Sequence, residues 1–216
     1  MQCANQLKQI GLAAQNFHDV NGRLPARSAQ HILKKYNRDG ANFERFSYLT
    51  VLLPYVEQNA MYQQFIGDLE DGDMQPRRAD DPRGAGVRRV WLNDVDAFLC
   101  PSSGDQMPGN RWADCVGVYT LFYTTPPPNS PSCCAGGLED WTITSASSYR
   151  SGGANAVLCD GSVRFVSETI DAGDQSKNAR DVCPNKSRPQ DYAGKSVYGV
   201  WGAMGSKSGG ETDATL

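Results

Sequence analysis

Near the start of the chain the apolar residues Cys3, Leu7, Ile10, Ala14 and Phe17 follow one another at intervals of four, three, four and three. That spacing marks one face of an α-helix, and Asn5, Lys8, Gln9, Gln15 and Asn16 fall elsewhere around it. The pattern predicts an amphipathic helix over residues 2–20 that packs through this stripe. Asn21-Gly22 supplies its stop and Pro25 prevents an early restart. The helix opens at Met1 with no capping residue and no leader, so the natural chain is expected to extend upstream, with residues 1–21 a truncated helix.

A second helical pattern runs from Phe46 to Phe65, where Tyr48, Leu49, Leu52, Leu53, Val56, Ala60 and Met61 recur at helical spacing around Pro54, which predicts a kink. Residues 67–95 read as a charged, solvated insertion with acidic and basic patches alternating. Cys115–Tyr123 (CVGVYTLFY) is rich in β-branched and aromatic residues and predicts a strand. Residues 124–145 form a second insertion, whose stretch TTPPPNSPSCCAGG must loop. The clearest hairpin signal is ANAVLC and SVRFVSE on either side of Asp160-Gly161, within 150–171. Val163 and Phe165 alternate there with Ser162 and Arg164, as in a half-buried strand. A last strand is expected at Ser196–Trp201, followed by a small-residue tail at 202–216.

These elements define an α+β chain: a long N-terminal helix on an antiparallel β-sheet with large loop insertions. A chain of 216 residues fits one domain of that kind. Four Trp, nine Tyr and seven Phe supply enough large apolar surface for a core.

Charge and cysteine usage narrow the function classes. With 21 Lys+Arg against 24 Asp+Glu the net charge is −3, which leaves no basic field for a phosphate backbone, so nucleic acid is not an expected partner. No run in the chain reaches the roughly 18 apolar residues of a membrane helix. The seven cysteines form no C-x-x-C pair, and only two histidines accompany them, which argues against zinc. Cys100, Cys115, Cys133, Cys134, Cys159 and Cys183 read as disulfide candidates of an oxidising compartment. An odd total leaves at least one unpaired, and Cys3, on the apolar stripe of a helix, is expected to be that one. A bridge between the adjacent Cys133 and Cys134 would be strained, so each should pair elsewhere.

Catalytic chemistry lacks its parts. His18 adjoins Asp19 at a helix end, where a capping or dipole interaction is the ordinary role, and His31 brings no evident partner. No serine sits in a G-x-S-x-G elbow, and Gly152-Gly153 opens no phosphate loop. The protein is therefore not expected to be an enzyme, and no cofactor is expected. Calcium is the one ion considered, because Asp171, Asp174 and Asp181 cluster after the hairpin; without an Asp-x-Asp-x-Asp-Gly loop they read as an acidic turn, as do Asp71 and Asp73.

Five blocks carry a resemblance: QCANQLKQIGLAAQNFHDVNGRLP, LLPYVEQNAMYQQ, FLCPS, GGANAVLCDGSVRF and the ending Gly209-Gly210-Glu211. In this order they resemble the large, mainly planctomycete group of pilin-like proteins with a prepilin-type N-terminus, described by domain of unknown function 1559 and a C-terminal H-x9-DG signature. The histidine of that signature is replaced here by Arg150. The backbone demands of a turn favour a structural role for Arg150, Gly152, Gly153, Asn155, Asp160, Gly161 and Ser162.

The resemblance implies a pilin or pseudopilin, a structural subunit of a type IV pilus-like filament or a type II secretion-like pseudopilus. It implies an extracytoplasmic globular part, an inner-membrane anchor upstream of Met1, processing by a prepilin peptidase, and assembly with other pilin-like subunits through the N-terminal helix. The alternative is a surface-anchored module that binds a glycan or another extracellular ligand through the two insertions, with Trp91, Trp112, Trp141 and Trp201 as stacking platforms.

Overall fold

The computed structural model describes residues 2–33, 46–70, 93–101, 111–113, 115, 120–134, 136, 142–177 and 195–206. They form a mixed helix-and-sheet structure of the α+β class, and the chain divides into two compact units. The first unit comprises residues 1–121 with 157–163, and the second comprises 122–156 with 164–216.

In the first unit helix α1 spans Gln2–Asn21. It ends where predicted: Gly22 takes a left-handed φ of 67°, its N–H reaches the His18 carbonyl at 2.7 Å, and Asn21 Nδ2 donates to the Phe17 carbonyl at 2.9 Å. The buried residues of α1 are Cys3, Gly11, Ala13 and Phe17, with Leu7, Ile10 and Ala14 half-buried beside them. Leu12 on the far side and Val20 in the last turn are 62% and 73% exposed. Phe17 meets Tyr55 edge-on with ring centroids 6.0 Å apart.

The helical pattern around Pro54 resolves into three pieces. Helix α3 spans Tyr48–Leu52, a 3-10 turn spans Leu53–Val56 with Pro54 near its start, and α4 spans Asn59–Glu70; a short α2 at Gln30–Leu33 precedes them. Glu57, left-handed at φ 63°, breaks the path before α4. Ser47 fixes the start of α3. Its buried hydroxyl donates to the Trp112 carbonyl at 2.5 Å and accepts the Leu49 N–H at 3.2 Å, so one side chain caps the helix and ties it to the 3-10 turn at Arg111–Ala113. Phe46 packs on Phe65 and Phe98 on Trp112, closing a core that also holds Leu33, Leu52, Leu53 and Val95.

In the second unit β1 (Cys133–Cys134) pairs antiparallel with β2 (Thr142–Ile143), so the second insertion carries a short ladder inside its loops. Strands β3 (Gly153–Val157) and β4 (Val163–Ser167) form the expected hairpin, whose turn belongs to the first unit. The bonds from Leu158 N–H to Ser162 O and from Glu168 N–H to Gly152 O share one register, which sets Ala154 opposite Val166 and Asn155 opposite Phe165. Ala156, Val166, Ala172 and Trp201 make the core of this unit.

Several sequence expectations are corrected. The inward residue of β4 is Val166 at 1% exposure, whereas Phe165 is 51% exposed and lays its ring over Gly153. The small Ala154 and Ala156 leave room for Val166 on the core face, and the bare glycine backbone takes the aromatic ring on the other. Cys115 and residues 120–123, the described part of the expected strand Cys115–Tyr123, carry no strand; the Tyr123 N–H donates to the Thr144 carbonyl at 2.8 Å. Ser196–Trp201 is a turn leading into helix α5 (Gly199–Met204): the Ser196 hydroxyl accepts the Tyr198 N–H at 3.1 Å, and Gly199 takes a left-handed φ of 60°. Helix α4 runs to Glu70, a full turn into the first expected insertion, whose residues 71–92 lie outside the described residues.

The two faces of α1 predict opposite mutational costs. Phe17→Ala is expected to lower stability by about 3–5 kcal/mol. Leu12→Ala should change it by less than about 0.5 kcal/mol, since its side chain is already in water. Urea denaturation followed by far-ultraviolet circular dichroism measures both.

Candidate functional site

The predicted motif residues fall into two junctions, one in each unit. In the first, the hairpin turn rests on the middle of α1. Leu158 O accepts the Gly161 N–H at 2.9 Å, Gly161 is left-handed at φ 81°, and Asp160 Oδ1 accepts the Ser162 N–H at 2.8 Å. The loop is therefore the three-residue Cys159-Asp160-Gly161 with positive φ at the glycine alone, rather than a two-residue Asp-Gly turn. Asp160 acts through its side chain as an Asx cap of the turn.

This turn meets α1 at Gly11. A Cβ on Gly11 would lie 2.8 Å from Val157 Cγ2 and 3.0 Å from the Gly161 carbonyl oxygen, so only glycine admits the turn at this distance. One helical turn further on, Gln15 Nε2 donates to the Cys159 carbonyl. Two residues outside the predicted set, Gly11 and Gln15, thus hold the motif. A glycine inside a helix costs about 1 kcal/mol relative to alanine. That anomaly was the sequence signal for a close approach here.

In the second junction Asn129 organises the entry to β3. It is left-handed at φ 62°, and its Oδ1 accepts the Ser148 N–H at 2.9 Å. Its Nδ2 donates toward the carbonyls of Arg150 (3.3 Å) and Gly153 (3.5 Å) and toward Glu168 Oε2 (3.4 Å). Ser148 Oγ donates to the Gly153 carbonyl at 2.7 Å and accepts the Arg150 N–H at 3.1 Å. Arg150 enters this network through its main chain and is otherwise exposed. Gly152 (φ 88°) and Gly153 (φ 156°) let the backbone fold in, and a Cβ on Gly153 would fall 2.0 Å from the Val166 carbonyl oxygen. Asn155 stands half-buried on the Phe165 face.

The cysteines depart from expectation. Cys3 is bonded to Cys100 across 97 positions, although it was expected to remain unpaired. Burial on a helix stripe suits a half-cystine as well as a thiol, and the 3-10 turn at Asp96–Phe98 delivers Cys100 to the first turn of α1. Cys133 and Cys159 are exposed and have no disulfide partner among the described residues, and Cys115 is buried. The side chain of Cys134, and Cys183 altogether, lie outside the described residues.

Other candidates have local employment. Asp171 Oδ1 accepts the Gly173 N–H at 2.9 Å and its carbonyl accepts the Trp201 N–H at 3.0 Å, so it clasps the start of α5. Ser176 holds the exposed Asp174 carboxyl below its usual range, first through its hydroxyl and then through its N–H. Asp71, Asp73 and Asp181 lie outside the described residues. Trp112 and Trp201 are buried, and their indole N–H groups donate to Asn93 O at 3.2 Å and Pro126 O at 2.9 Å. Neither is an open stacking platform, and Trp91 and Trp141 lie outside the described residues. His18 Nδ1 stands 3.7 Å from Asp19 Oδ1 with both side chains in solvent, and the side chain of His31 is outside the described residues. Among the described residues no three His, Cys, Asp or Glu side chains gather closely enough to hold a metal ion, and no helix is long and apolar enough to cross a membrane.

The junctions consist of backbone-to-backbone docking and side-chain caps of the main chain, within an α+β protein. The chain belongs to the family described as "Protein of unknown function (DUF1559)", SBP_bac_10, which matches residues 1–115 and 104–173. No curated protein and no solved structure gives a match.

Both junctions generate stability predictions. Gly11→Ala, which in a free helix would gain about 1 kcal/mol, is expected here to cost about 1–3 kcal/mol. Adding Val157→Ala should recover part of that loss, and a double-mutant cycle in urea reads the coupling. Asn129→Ala removes the left-handed preference and the hub bonds together. It should cost about 2–4 kcal/mol in the same assay.

Proposed function

We propose that the protein is the extracytoplasmic, non-catalytic part of a pilin or pseudopilin, a structural subunit of a type IV pilus-like filament or a type II secretion-like pseudopilus. The observation that carries the reading is α1. Twenty residues of helix are held by one face and locked near its middle by the hairpin turn at Gly11, while Leu12 on the far side and Val20 in the last turn stay exposed. A filament subunit needs such an arrangement, with an inner stripe for its own core, exposed apolar residues for neighbours, and a joint stiff enough to pass load from helix to globular part.

Membership of the family and the Cys3–Cys100 bridge, which suits an oxidising compartment, support the same reading. Its partners are then other pilin-like subunits, a prepilin peptidase that trims the precursor, and the membrane that holds the precursor through a segment upstream of Met1. That segment would be roughly 20 apolar residues behind a short basic leader.

The test uses the intact gene in its own cells. Deletion should remove or sharply reduce surface filaments or secretion seen by electron microscopy and secretome analysis. The paired change Leu12→Arg and Val20→Arg should reproduce that phenotype while leaving the urea midpoint of the purified protein unchanged. Normal filaments and normal secretion in the deletion strain would sink the proposal.

A further inference from the structure

The two halves of α1 are held by different means. From Gly11 onward the grip is packing: Ala13 and Phe17 are buried, Phe17 meets Tyr55, Gly11 receives the hairpin turn and Gln15 bonds its backbone. Before Gly11 the only buried residue is Cys3, and Leu7 and Ile10 are half-buried. Gln6 Nε2 donates to the Asp96 carbonyl at 2.8 Å, and Gln6 Oε1 is buried with no hydrogen-bond partner among the described residues. The covalent link from Cys3 to Cys100 sits on this half, which has fewer fully buried side chains than the other.

We propose that the Cys3–Cys100 disulfide is a redox latch for the first two to three turns of α1, which detach from the 3-10 turn at Asp96–Phe98 when the bond is reduced while the rest of the fold stays intact. The latch closes by thiol–disulfide exchange with a protein or small-molecule disulfide. The Cys3 or Cys100 thiolate attacks that disulfide, forming a mixed disulfide and releasing one thiol of the oxidant. The second cysteine's thiolate then attacks the protein sulfur and releases the other thiol. Two protein thiols and one disulfide become one protein disulfide and two thiols, with both electrons passing to the oxidant. Opening is the reverse reaction with a dithiol reductant. A chain made reduced and then moved to an oxidising compartment would thus acquire a rigid helix start only after arrival.

Native-state amide hydrogen exchange on the purified chain is the test, and it does not involve filament assembly, so it stands or falls apart from the proposed function. Reduction with a phosphine, and separately the double change Cys3→Ser and Cys100→Ser, should speed exchange at residues 6–10 by about tenfold or more with little dependence on urea, the signature of local opening. Amides of residues 14–20 should keep a steep urea dependence in both forms. Unchanged exchange at residues 6–10 overturns the latch. So does a loss of protection in both halves with one common urea dependence, or global unfolding of the reduced protein, because the bond would then support the whole fold.

Discussion

The structure of the first unit depends on a backbone-to-backbone contact, the approach of the Cys159–Gly161 turn to α1 at Gly11. Two glycines meet there, one inside a helix and one left-handed in a turn, and either would be a weakness in isolation. Together they let the carbonyl of Gly161 come closer to the helix than any side chain would allow. The contact fixes the rotation of α1, which in turn decides that Ala13 and Phe17 face the core while Leu12 and Val20 face outward. The Cys159–Gly161 turn thus meets the helix as well as reversing the chain.

What was legible in the sequence was the part governed by short-range periodicity. The limits of α1, the break at Pro54 and the position of the β3–β4 hairpin follow from residue spacing and turn chemistry, and each is present. What was hidden depends on contacts remote in sequence. Whether Phe165 or Val166 faces the core is set by the partner strand, where Ala154 and Ala156 leave space and Gly153 invites a ring. The Asn129 hub joins residues 129, 148, 150, 153 and 168, and no local pattern announces it. Ser196–Trp201 misleads for the same reason: its apolar residues suit a strand, yet a buried indole and the left-handed Gly199 turn it into a helix.

The cysteines show the limit most plainly. A stripe position and a disulfide position are indistinguishable by spacing, because both demand burial, and the partner of Cys3 is 97 positions away. Chain-entropy reasoning gives a bridge of that span a stabilisation of up to about 4–5 kcal/mol. That is comparable with burying one large aromatic side chain such as Phe17, and it acts at the end of the helix that has no such side chain. The covalent and the packed constraints are therefore divided along α1 rather than stacked at one place.

That division bears on how the two ends of one helix are held. A helix held by packing along its whole length would be rigid from the moment of folding. One whose fully buried side chains lie mainly from Gly11 onward, with a sulfur bridge at its first turn, has a start whose rigidity depends on redox chemistry while its remainder is set by the core. The arrangement separates two tasks that a single continuous packing surface would confound: specifying the fold, which the Gly11 junction and Phe17 perform, and stiffening the end of α1 nearest Met1, which the Cys3–Cys100 bond performs.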